Sequence, residues 1–302
     1  MSFFIDVLAA MFRISTPLAL GATGEVVSER SGVLNLGIEG TMYAGAFFGF
    51  YAAYQTDSRW IGLAAALIVG ALAASLLGLL TVTLGVNQHT AGLGLTLFLI
   101  GLSEFVNRAA LGTGSGSSLK VRTFGELRPF GLGGVFAQYG LTYFTILVII
   151  PGIWWMLRHT NFGLAITAVG ENPEAADVAG INVRRTRYIA LIIGGMLMSA
   201  GGAFITLATL GTFTIDIIAG RGWVCLALVI FGRWSVVRSL IGAFIFAFVY
   251  ALQFRLRLLS GWEAVPFELL LALPYLATIV ALVVSGRNAP YPGAYLKAFR
   301  RS

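Results

Sequence analysis

Charge is what this sequence has least of. Asp, Glu, Lys and Arg make up 11% of its 302 residues, where a soluble domain carries about a quarter. Hydrophobic residues make up 58%, and the mean hydropathy is +0.86. These proportions exclude a soluble globular protein and point to an all-α integral membrane protein. Each crossing takes about 20 mostly apolar residues, so the length holds a polytopic helical bundle of about 8–10 transmembrane helices with no sizeable soluble domain. Lysine is nearly absent, at Lys120 and Lys297 alone. The net charge of +7 and pI of 9.9 therefore do not build a nucleic-acid surface. The arginines are scattered through loops and one tail, where topology and anionic lipid headgroups account for them. Cys225 is alone, which excludes an intramolecular disulfide, and its apolar neighbours mark an inert core thiol. His89 and His159 fall in predicted loops without clustered acidic or cysteine ligands, there is no HExxH, and GxSxG is missing from the apolar segments. The P-loop is missing as well, because Leu119 precedes Lys120 and Leu296 precedes Lys297 where GxxxxGK[ST] needs glycine. No catalytic residue, metal site or cofactor of the chain's own is expected.

Apolar runs are what the sequence has in quantity. Nine read as spans, at 3–22, 33–53, 60–84, 90–107, 140–157, 188–209, 222–231, 238–254 and 266–285, the seventh being short. The N-terminus, MSFFIDVLAAMF, has no basic leader and no small-residue cleavage site, so it reads as an uncleaved first span. With the tail after 285 in the cytoplasm, the loops 25–32, 85–89, 158–187 and 232–237 lie on that side and the N-terminus lies outside. Arg184, Arg185, Arg187 and the tail carry this orientation. The chain then forms a single transmembrane domain over 1–302, with an extracytoplasmic loop at 108–139 and a cytoplasmic tail at 286–302. The outer loop begins with the flexible GTGSGSS and reads as a spacer or as a docking surface for an extracytoplasmic partner. Gly45 and Gly49 form a GxxxG suited to ordinary helix packing. Gly45-Ala46-Phe47 is faintly echoed by Gly242-Ala243-Phe244, as an inverted repeat would be.

The longest strongly polar segment is 160–188. Within it Glu171, Glu174 and Asp177 are spaced i, i+3, i+6 beside small apolar residues. Pro173 suits a first helical turn, and Gly180 can take the left-handed conformation that ends a helix. The pattern predicts a short exposed helix. Polar groups inside apolar segments are the other signal, since an ionisable group at bilayer depth is costly and defaults to a functional reading. Asp6, Asn107 and Glu268 lie near span ends and read as interfacial, while Arg13 and Ser103 lie further in. Asn35 and Glu39 sit in a glycine-rich bent helix start, where Glu39 lines a cavity or hydrogen-bonds neighbouring backbone. Asn87 and Gln88 form a short polar loop that borders the pore or merely connects spans. With Glu104, these are the substrate-path candidates. Phe98, Trp223 and Phe244 could stack on a solute but read better as core. An ion-coupled secondary transporter using Glu39 and Glu104 remains an alternative. A membrane-embedded enzyme finds no nucleophile-base pair.

Three stretches resemble the permease subunits of ATP-binding-cassette importers for simple sugars and nucleosides, of the ribose and branched-chain amino acid type. They are GEVVSERSGVLNLGIEGTMYAGA from Gly24, AVGENPEAADVAGINV from Ala168, and GRGWVCLALVIFGRW from Gly220 with Tyr250-Ala251-Leu252-Gln253. The resemblance implies that Glu174-Ala175-Ala176 followed by Gly180 is a coupling helix lying in a groove of a separate cytoplasmic ATPase. Glu171, Glu174, Ala175, Ala176 and Gly180 would then form the coupling contact. It also implies that ATP and Mg are held by that ATPase, that a second and different permease subunit completes the pore, and that an extracytoplasmic solute-binding protein delivers the solute. Transport would be by alternating access in a bacterial cytoplasmic membrane, and the stretch 29–40 leans toward nucleosides. His89-Thr90 and Ser235 depart from the family's usual pattern.

Overall fold

The computed structural model describes residues 2–112, 119–128, 133–256, 266–286, 291–296 and 299. Most of the GTGSGSS run, Arg287, Lys297, Arg300 and Arg301 lie outside the described residues. Helix α1 runs unbroken over Ser2–Arg30, so residues 25–30, expected as loop, are helix. They stay helical because the bundle covers them: Glu25, Ser28 and Glu29 are buried. The helix ends at Gly32, whose φ of 85° suits glycine. Five further residues run without helix before α2, Ile38–Thr56, begins.

Helix α3, Arg59–Gly78, continues through a π turn at Leu79–Thr83, and α4 follows at Gln88–Leu111. The connecting loop carries two short antiparallel strands, β1 at Glu126–Leu127 and β2 at Gln138–Tyr139. Arg13 of α1 reaches this loop, donating to Ala137 O at 2.8 Å and pairing with Glu126 at 2.7 Å. Asp6 pairs with Arg255 at 3.3 Å. Then come α5, Gly140–Phe144, a π turn at Thr145–Ile149, α6, Ile150–His159, α7, Asn161–Glu171, and α8, Pro173–Val178. Helix α9, Val183–Phe204, runs on into a π turn at Ile205–Leu210. The last three are α10, Arg221–Phe231, α11, Val236–Leu256, and α12, Phe267–Gly286.

Among the described residues six helices are long and apolar enough to cross a bilayer, and the protein is a multi-pass helical membrane protein. The seventh expected span is corrected. At 11 residues α10 reaches about 16 Å, half a bilayer. Non-helical chain from Gly211 to Gly220 precedes it. This segment starts beside the α4–α5 loop, where Val121 N donates to Gly211 O at 2.8 Å, and α10 leads on to Trp234, whose indole reaches Glu29 at the far end of α1.

Helix α9 is the centre of the bundle, packed against α1, α2 and α3. Lipid tails are as apolar as leucine, so close backbone approach and polar contacts hold such a bundle rather than expulsion of water. The approach depends on glycine. A Cβ on Gly195 would lie 2.5 Å from Gly70 O, one on Gly194 2.6 Å from Gly24 O, and one on Gly202 would collide with Met42 O. The Gly45/Gly49 pair is spent within the chain, on Ser199 and Ala203 of α9 and on Ala66 and Gly62 of α3. Gly202→Ala is therefore expected to destabilise the protein by about 1–3 kcal/mol through overpacking. Thermal unfolding in detergent checks this, and an unchanged midpoint would contradict the packing described.

Leu72, Leu97, Phe105 and Leu147 point outward, as expected where the solvent is lipid. Phe98 and Trp223, expected as core, are also exposed, at 53% and 40%. Phe244 does pack inward, on Phe12, with ring centroids 5.4 Å apart. Arg187, expected as a loop cation, is instead 1% exposed in α9, with Nε donating to Ser31 O at 3.1 Å.

Candidate coupling corner and broken-helix junction

The corner from α7 to α9 is set by caps supplied from within the segment. Thr160 Oγ1 accepts from Gly163 N at 3.1 Å at the start of α7, and Asn172 Oδ1 accepts from Ala175 N at 3.0 Å at the start of α8. Asn182 Oδ1 accepts from Arg185 N at 3.0 Å at the start of α9. Each satisfies a donor that a helix start leaves open. Pro173 occupies the first turn of α8 as its fixed φ predicts. Gly180, at φ 86°, ends it: Gly180 N donates to Asp177 O and Ile181 N to Ala176 O, both at 2.9 Å. A Cβ on Gly180 would meet nothing within 4 Å. The requirement there is conformational, not steric.

Of the five expected coupling residues, Glu171, Glu174, Ala175 and Gly180 are exposed. Ala176 is not: it is 4% exposed and packs with Val169 and Val183 against Phe299. The expected i, i+3, i+6 row is also broken, because Glu171 closes α7 and Asn172 stands between the two helices. One surface residue was missed. Val178 is 91% exposed beside Ala179, an apolar patch on a polar corner. The α8–α9 turn and Phe299 line an open pocket of about 340 Å³ with Asp177, Ile181, Asn182 and Arg184.

The second constellation surrounds the break between α1 and α2. Backbone N–H and C=O groups at bilayer depth need partners when the helix stops, and the polar side chains of this region supply them. Gln88 Oε1 accepts from Leu34 N at 2.8 Å, Glu25 Oε1 from Asn35 N at 2.9 Å, and Asn35 Oδ1 from Gly37 N at 2.9 Å. Thr96 Oγ1 donates to Leu36 O at 2.9 Å. Glu39, in the first turn of α2, accepts from Gly220 N at 2.8 Å and Gly222 N at 2.7 Å. It thereby places a carboxylate at the positive N-terminus of α10. The starts of α2 and α10 are joined through this one side chain.

The five substrate-path candidates are therefore not gathered in one cavity. Asn35, Gln88 and Glu39 are buried and hold backbone; for Glu39 the backbone-bonding alternative is what the geometry shows. Asn87 is exposed and caps α4, accepting from His89 N at 3.0 Å and Thr90 N at 3.3 Å. Glu104 is half-buried, with Tyr43 Oη 3.5 Å and Arg108 Nη2 3.6 Å away. With both oxygens of Glu39 taken by backbone donors, a shared ion site with Glu104 is not built. The sequence reading missed Glu25, Glu29 and Trp234. Glu25 and Glu29 are one helical turn apart on α1, and the partners that mark them lie beyond the helix, Asn35 for Glu25 and Trp234 for Glu29.

The chain from residue 7 to 285 matches the family model described as branched-chain amino acid transport system / permease component. It is 31% identical over 299 residues to the nucleoside ABC transporter permease protein NupC of Lactococcus lactis, covering 95% of this chain and 94% of that one. It is 32% identical to the guanosine ABC transporter permease protein NupQ of Bacillus subtilis, covering 97% of each. A provisionally named glucose ABC transporter permease protein of Haloferax volcanii, TsgC13, is 37% identical over 265 residues, 86% of this chain and 80% of that one. No solved structure matches the chain. In such systems the permease component supplies the membrane path, a partner ATPase hydrolyses ATP, and a substrate-binding protein delivers the solute. A match that runs through both the coupling corner and the broken-helix junction, over nearly the whole length, makes this chain a member of the ABC importer permease family.

Proposed function

We propose that this chain is one half of the translocation pore of an importer in the cytoplasmic membrane that takes up a nucleoside, or otherwise a simple sugar. The observation that carries the coupling role is α8. It is a short helix held at both ends by its own caps, with Glu174, Ala175 and Val178 exposed and no covering element from the described residues. In this reading α8 lies in a groove of the ATPase on the cytoplasmic side. Glu174 and Ala175 make the contact, and Ala176 ties the helix to α7 and α9. ATP and Mg are held by the ATPase, and this chain binds no cofactor. A second, different permease completes the pore, and the binding protein docks on the side carrying β1 and β2. A displacement of α8 passes directly to α9, the helix on which α1, α2 and α3 close. The ATPase drives the change only by binding the two permease states with different affinity. The nucleoside preference rests on the two relatives that match over at least 95% of this chain, named for nucleoside and guanosine transport.

Purification from native membranes in mild detergent, with mass spectrometry of co-eluting chains, tests the assembly. An ATPase and a second permease are expected. The complex is then reconstituted in vesicles with its binding protein, and ATP-dependent accumulation of labelled guanosine is compared with that of glucose. A chain that elutes alone and transports without ATP would overturn the proposal.

A further inference from the structure

Of the residues after α12, 291–296 and Phe299 are built into the coupling corner. Ala294 is 2% exposed and its N–H donates to Gly170 O at 2.8 Å, at the end of α7. Gly293 N donates to Glu171 Oε2 at 3.2 Å. Phe299 packs on Val169, Ala176 and Val183, the three residues that seat α8 between its neighbours. On its other side the tail meets the α10–α11 turn. The Tyr291 ring lies 4.8 Å and the Tyr295 ring 6.2 Å from Trp234. The Trp234 indole donates to Glu29 of α1, and the Tyr295 hydroxyl bonds the same carboxylate. Burial and the neighbouring Glu29 and Glu25 charges raise the Tyr295 hydroxyl well above the usual tyrosine range, so it stays a donor at every physiological pH.

A second, independent feature lies in the turn itself. Arg233 and Trp234 are consecutive non-glycine residues at positive φ, 51° and 56°. Such a pair persists only where the surroundings over-determine it. Here the strain brings the indole, 3% exposed, between Glu29 and the two tail tyrosines. From Trp234 the chain runs back along α10 to Gly220 and Gly222, the donors held by Glu39.

We propose that residues 291–296 together with Phe299 are a brace that transmits the position of α8 to Trp234 and, through α10, to the Glu39 junction, with Phe299 and Tyr295 as positioning residues for transport. This rests on the reading of α8 as the ATPase-docking helix. The brace gives α8 a second route into the bundle, separate from α9 and aimed at the half-helix instead of the central helix.

The test uses the complete reconstituted importer with Phe299→Ala, Tyr295→Phe and, as reference, Glu174→Lys. Tyr295→Phe removes one hydrogen bond and keeps the ring, so it remains informative if Phe299→Ala fails to fold. In the tail variants the maximal uptake rate is expected to fall about tenfold, with KM for the loaded binding protein changed by less than about twofold. The ATPase subunit should co-purify in unchanged ratio, and ATP hydrolysis should continue but no longer respond to loaded binding protein. A residue serving stability alone would lower the amount of complex without removing that response. Wild-type uptake and stimulation in the folded tail variants, with Glu174→Lys uncoupled, overturns the brace and leaves the docking role of α8 standing. Loss of the ATPase subunit from the tail variants also overturns it, making the tail a docking surface. Wild-type uptake in Glu174→Lys would overturn the reading of α8 and the brace with it.

Discussion

Replacing Glu174 by lysine is expected to uncouple ATP hydrolysis from uptake while the protein still reaches the membrane. Glu174 is exposed in the first turn of α8, where a carboxylate complements the helix N-terminus by about 0.3–1 kcal/mol. Reversing that charge costs the helix little, because Asn172, Pro173 and Gly180 still fix its ends. The cost to a docked partner is larger. A like charge placed against a complementary interface costs several kcal/mol, which is at least on the order of a hundredfold in affinity. Membrane abundance should therefore match the wild type, ATP hydrolysis by the complex should lose its response to loaded binding protein, and uptake should fall to background. Glu174→Gln, which removes charge without reversing it, should lie between. Parallel measurement of uptake, hydrolysis and membrane level in reconstituted vesicles decides the matter; normal uptake in the lysine variant would count strongly against the role given to α8.

Glu39→Ala is expected to be strongly destabilising. Both Glu39 oxygens accept backbone N–H groups at the start of α10, at 2.8 and 2.7 Å. Alanine leaves two donors unpaired, Gly222 N buried and Gly220 N part-buried. An orphaned buried donor costs about 1–3 kcal/mol, and the part-buried one adds less. That is a large share of the whole stability of a typical domain. The variant should accumulate poorly and unfold at much lower temperature in detergent. Glu39→Gln retains one acceptor oxygen and should recover part of the loss. Equal stability of alanine and glutamate forms would mean that the carboxylate does not hold α10.

Features decided by neighbouring residues could be read from the sequence. Pro173 and Gly180 mark the ends of α8 because fixed φ and left-handed φ are local properties, and six of the apolar runs coincide with the long apolar helices for the same reason. What could not be read depends on residues far apart in the chain. Glu25 and Glu29 look like the end of a span until Trp234 and Tyr295, more than 200 positions later, provide partners. The run 222–231 looks like a short span because nothing beside it shows that Glu39 holds its start. Ala175 and Ala176 are indistinguishable by type, and only the packing of Phe299, Val169 and Val183 turns one inward. Phe98 and Trp223 were misplaced by a rule for water, which sends large aromatics inside; lipid makes no such demand.

The position of α9 at the centre has a consequence for how the protein is made. Helices α1, α2 and α3 leave the ribosome first, yet the surface on which they close is synthesised more than 100 residues later. Until then Gly24, Gly45 and Gly70 have no backbone to meet, and Glu39 waits for Gly220. At about 5–20 residues per second the early helices spend several seconds in the bilayer as unfinished pieces. Assembly of the N-terminal half is thus an event of late translation, and closure of the site around Glu29 waits for Tyr295, synthesised more than 260 residues after it.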